Sequence, residues 1–168
     1  GDEIRFAATG PDGRRMWTIA TGLPREGGWD GSMHHVPFVC RDVDGDGRTE
    51  FVYHDSGDAR WSPTERYELG RDGERMVIAD GETGEVKRAA RWPARKARVM
   101  MTVGHLRGLD RPASVVVLDE TYGDVGLTAV NGASGETDWH VEQARPAGHN
   151  LDIGDIDLDG VQEVICGG

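Results

Sequence analysis

The protein has 168 residues, enough for one ordinary domain with its own core. With 37% hydrophobic and 29% charged residues it reads as a folded globular chain, and its longest apolar run, around Val115 to Leu118, is far too short for a transmembrane helix. A formal net charge of -11 argues against a nucleic-acid backbone as partner, because that contact needs a basic surface.

Taken in chain order, the sequence is a series of short β-type runs separated by Gly, Asp, Asn and Pro. No stretch of helical length keeps a helical apolar spacing, and 25 glycines with seven prolines imply many turns. The opening GDEIRFAATG has neither the basic nor the apolar region of a signal peptide. RFAAT and RMWTIA then read as an outer hairpin. HVPFVC leads into the acidic segment RDVDGDGRTE, and EFVYHD follows at once. After a long connection, RMVIAD and VKRAARW form a hairpin. RVMMTVG, SVVVLD, LTAVNG and TDWHVE repeat the pattern, and LDIGD, an acidic segment and EVICGG end the chain.

The runs are organised as a repeat. Asp42, Asp44, Asp46 and Glu50 align with Asp155, Asp157, Asp159 and Glu163, and MVIADGETGEVKRA (76–89) aligns with LTAVNGASGETDWH (127–140). Asp80–Gly81 and Asn131–Gly132 are the tight-turn pairs of two hairpins. A third copy of the acidic segment, at 104–119, keeps the loop-then-strand shape but has His105, Arg107 and Asp110 where the aspartates would stand. Four short strands every ~50 to 60 residues is the size of a propeller blade. The expected fold is therefore all-β: a partial β-propeller of about two complete and two incomplete blades. Residues 1–30 would end a preceding blade, 31–97 and 98–145 would be whole blades, and 146–168 would start the next. A two-sheet sandwich is the alternative. Cys40 and Cys166, too few for a disulfide framework, are expected as buried free thiols, with a bridge between them left open.

The acidic loops carry the chemistry. Carboxylates crowded onto one turn repel each other unless a cation neutralises them. Asp at positions 1, 3 and 5, a backbone carbonyl at 7 and a Glu at 9 would direct hard oxygens at one point, which suits Ca²⁺ at ~2.3 to 2.6 Å. The ligand sets would be Asp42, Asp44, Asp46, Arg48 (carbonyl) and Glu50 in one loop. In the other they would be Asp155, Asp157, Asp159, Val161 (carbonyl) and Glu163. The second loop is the weaker match, because Leu158 replaces the glycine at position 4. Bound ions would act first as staples that stabilise the folded state. The degenerate copy is not expected to hold a metal, and Arg107 is a candidate to replace the cation's charge there.

His34 and His35 precede the first loop, His54 follows its strand and His149 precedes the last loop. A neutral imidazole serves as a general base near pH 7. Trp29 and Trp61 lie in loops and could stack on a sugar ring, whereas Trp92 and Trp139 read as packing residues. Nucleophilic serine or cysteine catalysis has no motif in support.

MHHVPFVCRDVDGDGRTEFVYHD, VIADGETGEV and AGHNLDIGDIDLDGVQEV, in that order, resemble the propeller of the family 11 rhamnogalacturonan lyases and their FG-GAP relatives. The resemblance spans most of residues 30–168, and its more specific parts are the His34 lead-in and the Gly148–His149 pair. It implies a secreted, calcium-dependent polysaccharide lyase, or part of one, that cleaves an acidic polysaccharide by β-elimination. The remaining blades would come from the parent chain or another chain. By the same resemblance His34 and His149 would face the substrate, with a Ca²⁺ nearby; His54 joins them as a catalytic candidate by proximity alone. The alternative function is a non-catalytic FG-GAP-type calcium-binding module that binds carbohydrate or protein. A purely structural calcium-stapled repeat is a third.

Overall fold

The computed structural model describes residues 3–24, 36–58, 72–94, 98–120, 125–143 and 150–167. These residues form twelve strands and no helix. The strands are β1 (Glu3–Thr9), β2 (Arg15–Pro24), β3 (Phe38–Arg41), β4 (Glu50–Asp55), β5 (Arg75–Asp80) and β6 (Val86–Arg91), then β7 (Arg98–Gly104), β8 (Ser114–Glu120), β9 (Val125–Asn131), β10 (Thr137–Gln143), β11 (Asn150–Gly154) and β12 (Glu163–Gly167). The all-β expectation is met. The strands form four open antiparallel sheets: β1–β2, β3–β4–β5–β6, β7–β8–β9–β10 and β11–β12. Each four-stranded sheet runs in sequence order, so successive strands are hydrogen-bonded neighbours. Four sheets replace the two that a sandwich would have, and no sheet closes into a ring among the described residues.

The sheets stack in chain order, and strand alternation explains how. In β4, Phe51 and Tyr53 point to one face and meet Phe6, Trp17 and Ile19 of the first sheet. Val52 points to the other face, where Met76, Ile78, Val115, Val117 and Val130 build the largest core cluster. In β8, Val115 and Val117 join that cluster, while Val116 and Leu118 pack towards Leu151, Ile153 and Val164 of the last sheet. Central strands that are covered on both faces lose the polar half of the alternation: β4 is buried from Glu50 to Asp55, and SVVVLD in β8 reads as a near-continuous apolar run.

The three hairpins share one irregularity. The register slips by one residue next to each turn, between Ala8 and Thr9, between Ile78 and Ala79, and between Thr137 and Trp139. Such a bulge re-aims one side chain. It gives Trp17 and Arg88 equivalent positions, and each donates to the turn of the next sheet: Trp17 Nε1 to the Gly81 carbonyl at 3.0 Å, Arg88 Nη1 to the Gly132 carbonyl at 3.2 Å. One place further towards the turn, the bulge aligns Lys87 with Asp138.

Both cysteines are free. Cys40 is exposed on β3 and Cys166 only half-buried on β12, so the expectation of two buried thiols is not met: each lies on an outermost strand of its sheet. Partial burial still raises the pKa of both thiols.

Candidate functional site

The first acidic loop joins β3 to β4, and the last joins β11 to β12. Most of their internal hydrogen bonds correspond, the exception being the second one to the first aspartate, which comes from Gly45 N–H in one loop and from Asp159 N–H in the other. The Asp42 carboxylate accepts from Gly47 N–H at 2.9 Å, and Asp155 accepts from Gly160 N–H at 3.0 Å. Asp44 accepts from Asp46 N–H, as Asp157 does from Asp159. Asp46 accepts from Arg48 N–H at 2.8 Å, and Asp159 from Val161 N–H at 2.8 Å. The closing glutamate reaches back in both: Glu50 Oε2 accepts from Val43 N–H at 2.9 Å, Glu163 Oε2 from Ile156 N–H at 2.9 Å. Even the position-4 backbone is retained, with φ of 81° at Gly45 and 63° at Leu158; Leu158 is the one non-glycine residue with positive φ among those described.

In each loop three carboxylates bring one oxygen apiece within 4.8 Å of one another: Asp42, Asp44 and Glu50, and Asp155, Asp157 and Glu163. Those two clusters could hold a metal ion. Asp46 and Asp159, expected as ligands, stand outside the clusters and cap backbone N–H groups. In the last loop the all-oxygen donor set of Asp155, Asp157 and Glu163 fits a hard divalent cation.

The first loop differs. Lys87, from β6, places its Nζ 2.7 Å from Asp44, 2.9 Å from Asp46 and 2.9 Å from Glu50. The Lys87 pKa is raised well above the usual lysine range, chiefly by hydrogen bonds to Asp44 and then Glu50. The same ammonium, by its hydrogen bond, is the main cause of a lowered Asp46 pKa. Arg48 turns its guanidinium away from the loop, to Asp80 at 3.0 Å and Glu82 at 3.1 Å. In the degenerate copy, Arg107 pairs with Asp138 at 3.4 Å and donates to the Pro112 carbonyl at 3.1 Å, so a side-chain cation stands at that junction too.

Of the histidines singled out by sequence, His34, His35 and His149 lie outside the described residues, as do Trp29 and Trp61. His54 is placed well away from solvent. Its side chain has 0% exposure, Nε2 lies 3.0 Å from the Glu74 carboxylate, and the ring stacks on Trp92 at 3.9 Å. β4 is covered on both faces, so its even-numbered residues point into the inter-sheet core and no surface is left at which a sugar could meet this imidazole. The Glu74 partner could not have been found by spacing, because it precedes β5 and reaches His54 only through the β4–β5 pairing.

Sequence reasoning also missed a cleft of about 530 Å³ between the first two sheets. It is lined by Phe6, Trp17, Phe38 and Phe51, with Arg48 and Glu82 at its polar side. The aromatic rings contact one another at centroid distances of 5.0 to 5.7 Å. Phe38 is 54% exposed there.

No protein-family model matches the chain, and no curated protein matches its sequence. Solved structures do match its fold. The rhamnogalacturonan lyase YesW and the exotype rhamnogalacturonan lyase YesX each superpose with a TM-score of 0.74 at 22% identity over 98% of this chain. A PL11 rhamnogalacturonan lyase of Bacillus licheniformis does so with a TM-score of 0.72, also at 22% identity. The chain spans about a third of the length of these proteins: 33%, 32% and 33%. At this identity the likeness establishes the shared fold.

Proposed function

We propose that this chain is part of a polysaccharide lyase acting by β-elimination on a rhamnose- and uronate-containing polysaccharide such as rhamnogalacturonan, and that its stacked sheets are blades of a larger propeller. The observation that supports this reading is a fold shared, over almost the whole chain, with about a third of each of three rhamnogalacturonan lyases. The other blades would belong to the parent chain or to another chain. An acidic polysaccharide of this kind lies outside the cell, so the protein would act there.

In β-elimination a base removes the proton at C5 of the uronate. The electron pair left behind forms the C4=C5 double bond, and O4 departs and is protonated. His34 and His149, which flank the two acidic loops in sequence, are our candidates for these proton transfers. A nearby cation lowers the cost of the charge that builds on the uronate carboxylate. In the last loop Asp155, Asp157 and Glu163 would hold a Ca²⁺, which supplies that kind of neutralisation or staples the turn. We give buried His54 a supporting role, holding β4 to Glu74 and Trp92.

Incubation with rhamnogalacturonan, ulvan or gum arabic, followed by the ultraviolet absorbance of the unsaturated uronate, tests the activity. A rise is expected with one of them, falling ~10²- to 10⁴-fold in His34→Ala or His149→Ala. No rise with any of the three would sink the lyase reading. The second reading, a non-catalytic module of FG-GAP type that binds carbohydrate or protein, draws on the aromatic cleft at Phe6, Trp17 and Phe38. Saturable carbohydrate binding without turnover, lost on Trp17→Ala, would favour it.

A further inference from the structure

In each of the two whole sheets the repeat puts an ionic contact at one defined place, where the loop before the second strand meets the bulge of the hairpin. In the first whole sheet the loop is acidic and the bulge residue is Lys87. In the second whole sheet the signs are exchanged. Ser114 takes the place of Glu50, since Glu50 pairs with Asp80 as Ser114 pairs with Asn131. Asp138 takes the place of Lys87, accepting from Ser114 Oγ at 2.8 Å, and Arg107 supplies the positive charge from the loop. A swap that preserves the contact while inverting its polarity points to a tethered cation as a working part of the junction.

Glu50 gives the second reason. Its side chain has 0% exposure, and a buried carboxylate needs both a partner and a counter-charge. Val43 N–H serves one oxygen, and Lys87 Nζ serves the other. A Ca²⁺ bound at ~2.3 to 2.6 Å from the Asp44 and Glu50 oxygens would require the space that the ammonium holds.

We propose that Lys87 is the resident cation of the first acidic loop, closing it onto β6 and keeping divalent metal out of that loop. Sequence spacing alone leads to one Ca²⁺ in each acidic loop; in this reading the first loop carries its own ammonium instead. It rests on reading both loops as cation-holding turns, and the test separates the two ideas. Calorimetric titration of the protein with Ca²⁺ should show no tight site that Asp44→Asn removes. Lys87→Met should strengthen Ca²⁺ binding at the first loop by ~10-fold or more, since a unit positive charge a few ångströms away has been removed. That new site should vanish on adding Asp44→Asn. A tight Ca²⁺ site in the unmodified protein that is lost in Asp44→Asn would overturn the proposal. No Ca²⁺ binding in any variant would overturn the reading of the loops themselves. Should Lys87→Met fail to fold, the Asp157→Asn protein decides alone: the same melting temperature in calcium and in chelator supports a lysine-held loop, and a lower one in chelator refutes it.

Discussion

Leu158 occupies the position that Gly45 holds in the first loop, at φ 63°, with its side chain 85% exposed. A left-handed backbone costs a residue with a Cβ ~1 to 2 kcal/mol, and an exposed leucine recovers little of that by packing. Leu158→Gly should therefore raise stability, by less than ~1 kcal/mol net once ~0.5 to 1 kcal/mol of extra unfolded-state freedom is subtracted. Urea unfolding checks this, and a loss of stability would refute it. The acidic side chains give a second expectation at this scale. Asp46 has a lowered pKa because Lys87 donates to it, and Asp80 because the Thr83 N–H does. A depressed folded-state pKa stabilises above the unfolded value and loses its contribution as pH falls through the folded one. Thermal stability should thus hold down to about pH 4 and drop below it. Asp80→Asn should shrink that drop, and an unchanged acid limb would contradict the assignment. Lys87 has the opposite sign: its contribution is whole below about pH 10 and fades above it.

At the scale of elements, each hairpin turn is docked rather than merely closed. Gly81 N–H donates to the Thr49 carbonyl at 2.9 Å, and Gly132 N–H to the Ala113 carbonyl at 2.9 Å, fastening each turn to the start of its neighbouring strand. A methyl at Gly81 would meet the Thr49 carbonyl oxygen, and one at Gly132 the Val43 carbonyl oxygen of the preceding sheet. Either Gly→Ala should cost ~1 to 3 kcal/mol, because backbone rather than a flexible side chain must give way. Gly154→Ala, whose new Cβ would find nothing within 4 Å, is the matched control and should stay within ~0.5 kcal/mol. Equal melting temperatures for Gly81→Ala and Gly154→Ala would show that the turns are not docked this way. The His54–Glu74 pair belongs at this scale as well. It joins β4 to the residue before β5, and His54→Ala would empty a fully buried ring site stacked on Trp92. A loss of ~2 to 5 kcal/mol is expected in chemical unfolding.

Across the whole molecule, stability is a chain of nearest-neighbour contacts between sheets, as in other repeat architectures. Ile78 and Met76 sit fully buried in the cluster between the two whole sheets, and Ile78→Ala should cost ~2 to 5 kcal/mol in chemical unfolding. The outermost contacts are aromatic on one side, through Phe6 and Trp17, and aliphatic on the other, through Leu151, Ile153 and Val164. How much of this was legible depends on the range of the interactions. Strands and turns are written in local alternation and in pairs such as Asp80–Gly81, so the sequence by itself determined an all-β chain, its repeat and the two carboxylate loops, each of which closes within nine residues. Only the tertiary structure decided that Lys87 fills the first loop. Its approach to Asp44 and Glu50 depends on a hairpin bulge some forty residues away, which aims one side chain across the sheet. The same holds for His54, which strand alternation alone left free to face either side. Packing of a sheet against each face of β4 turned it into the core, where desolvation requires the company of Glu74 and Trp92.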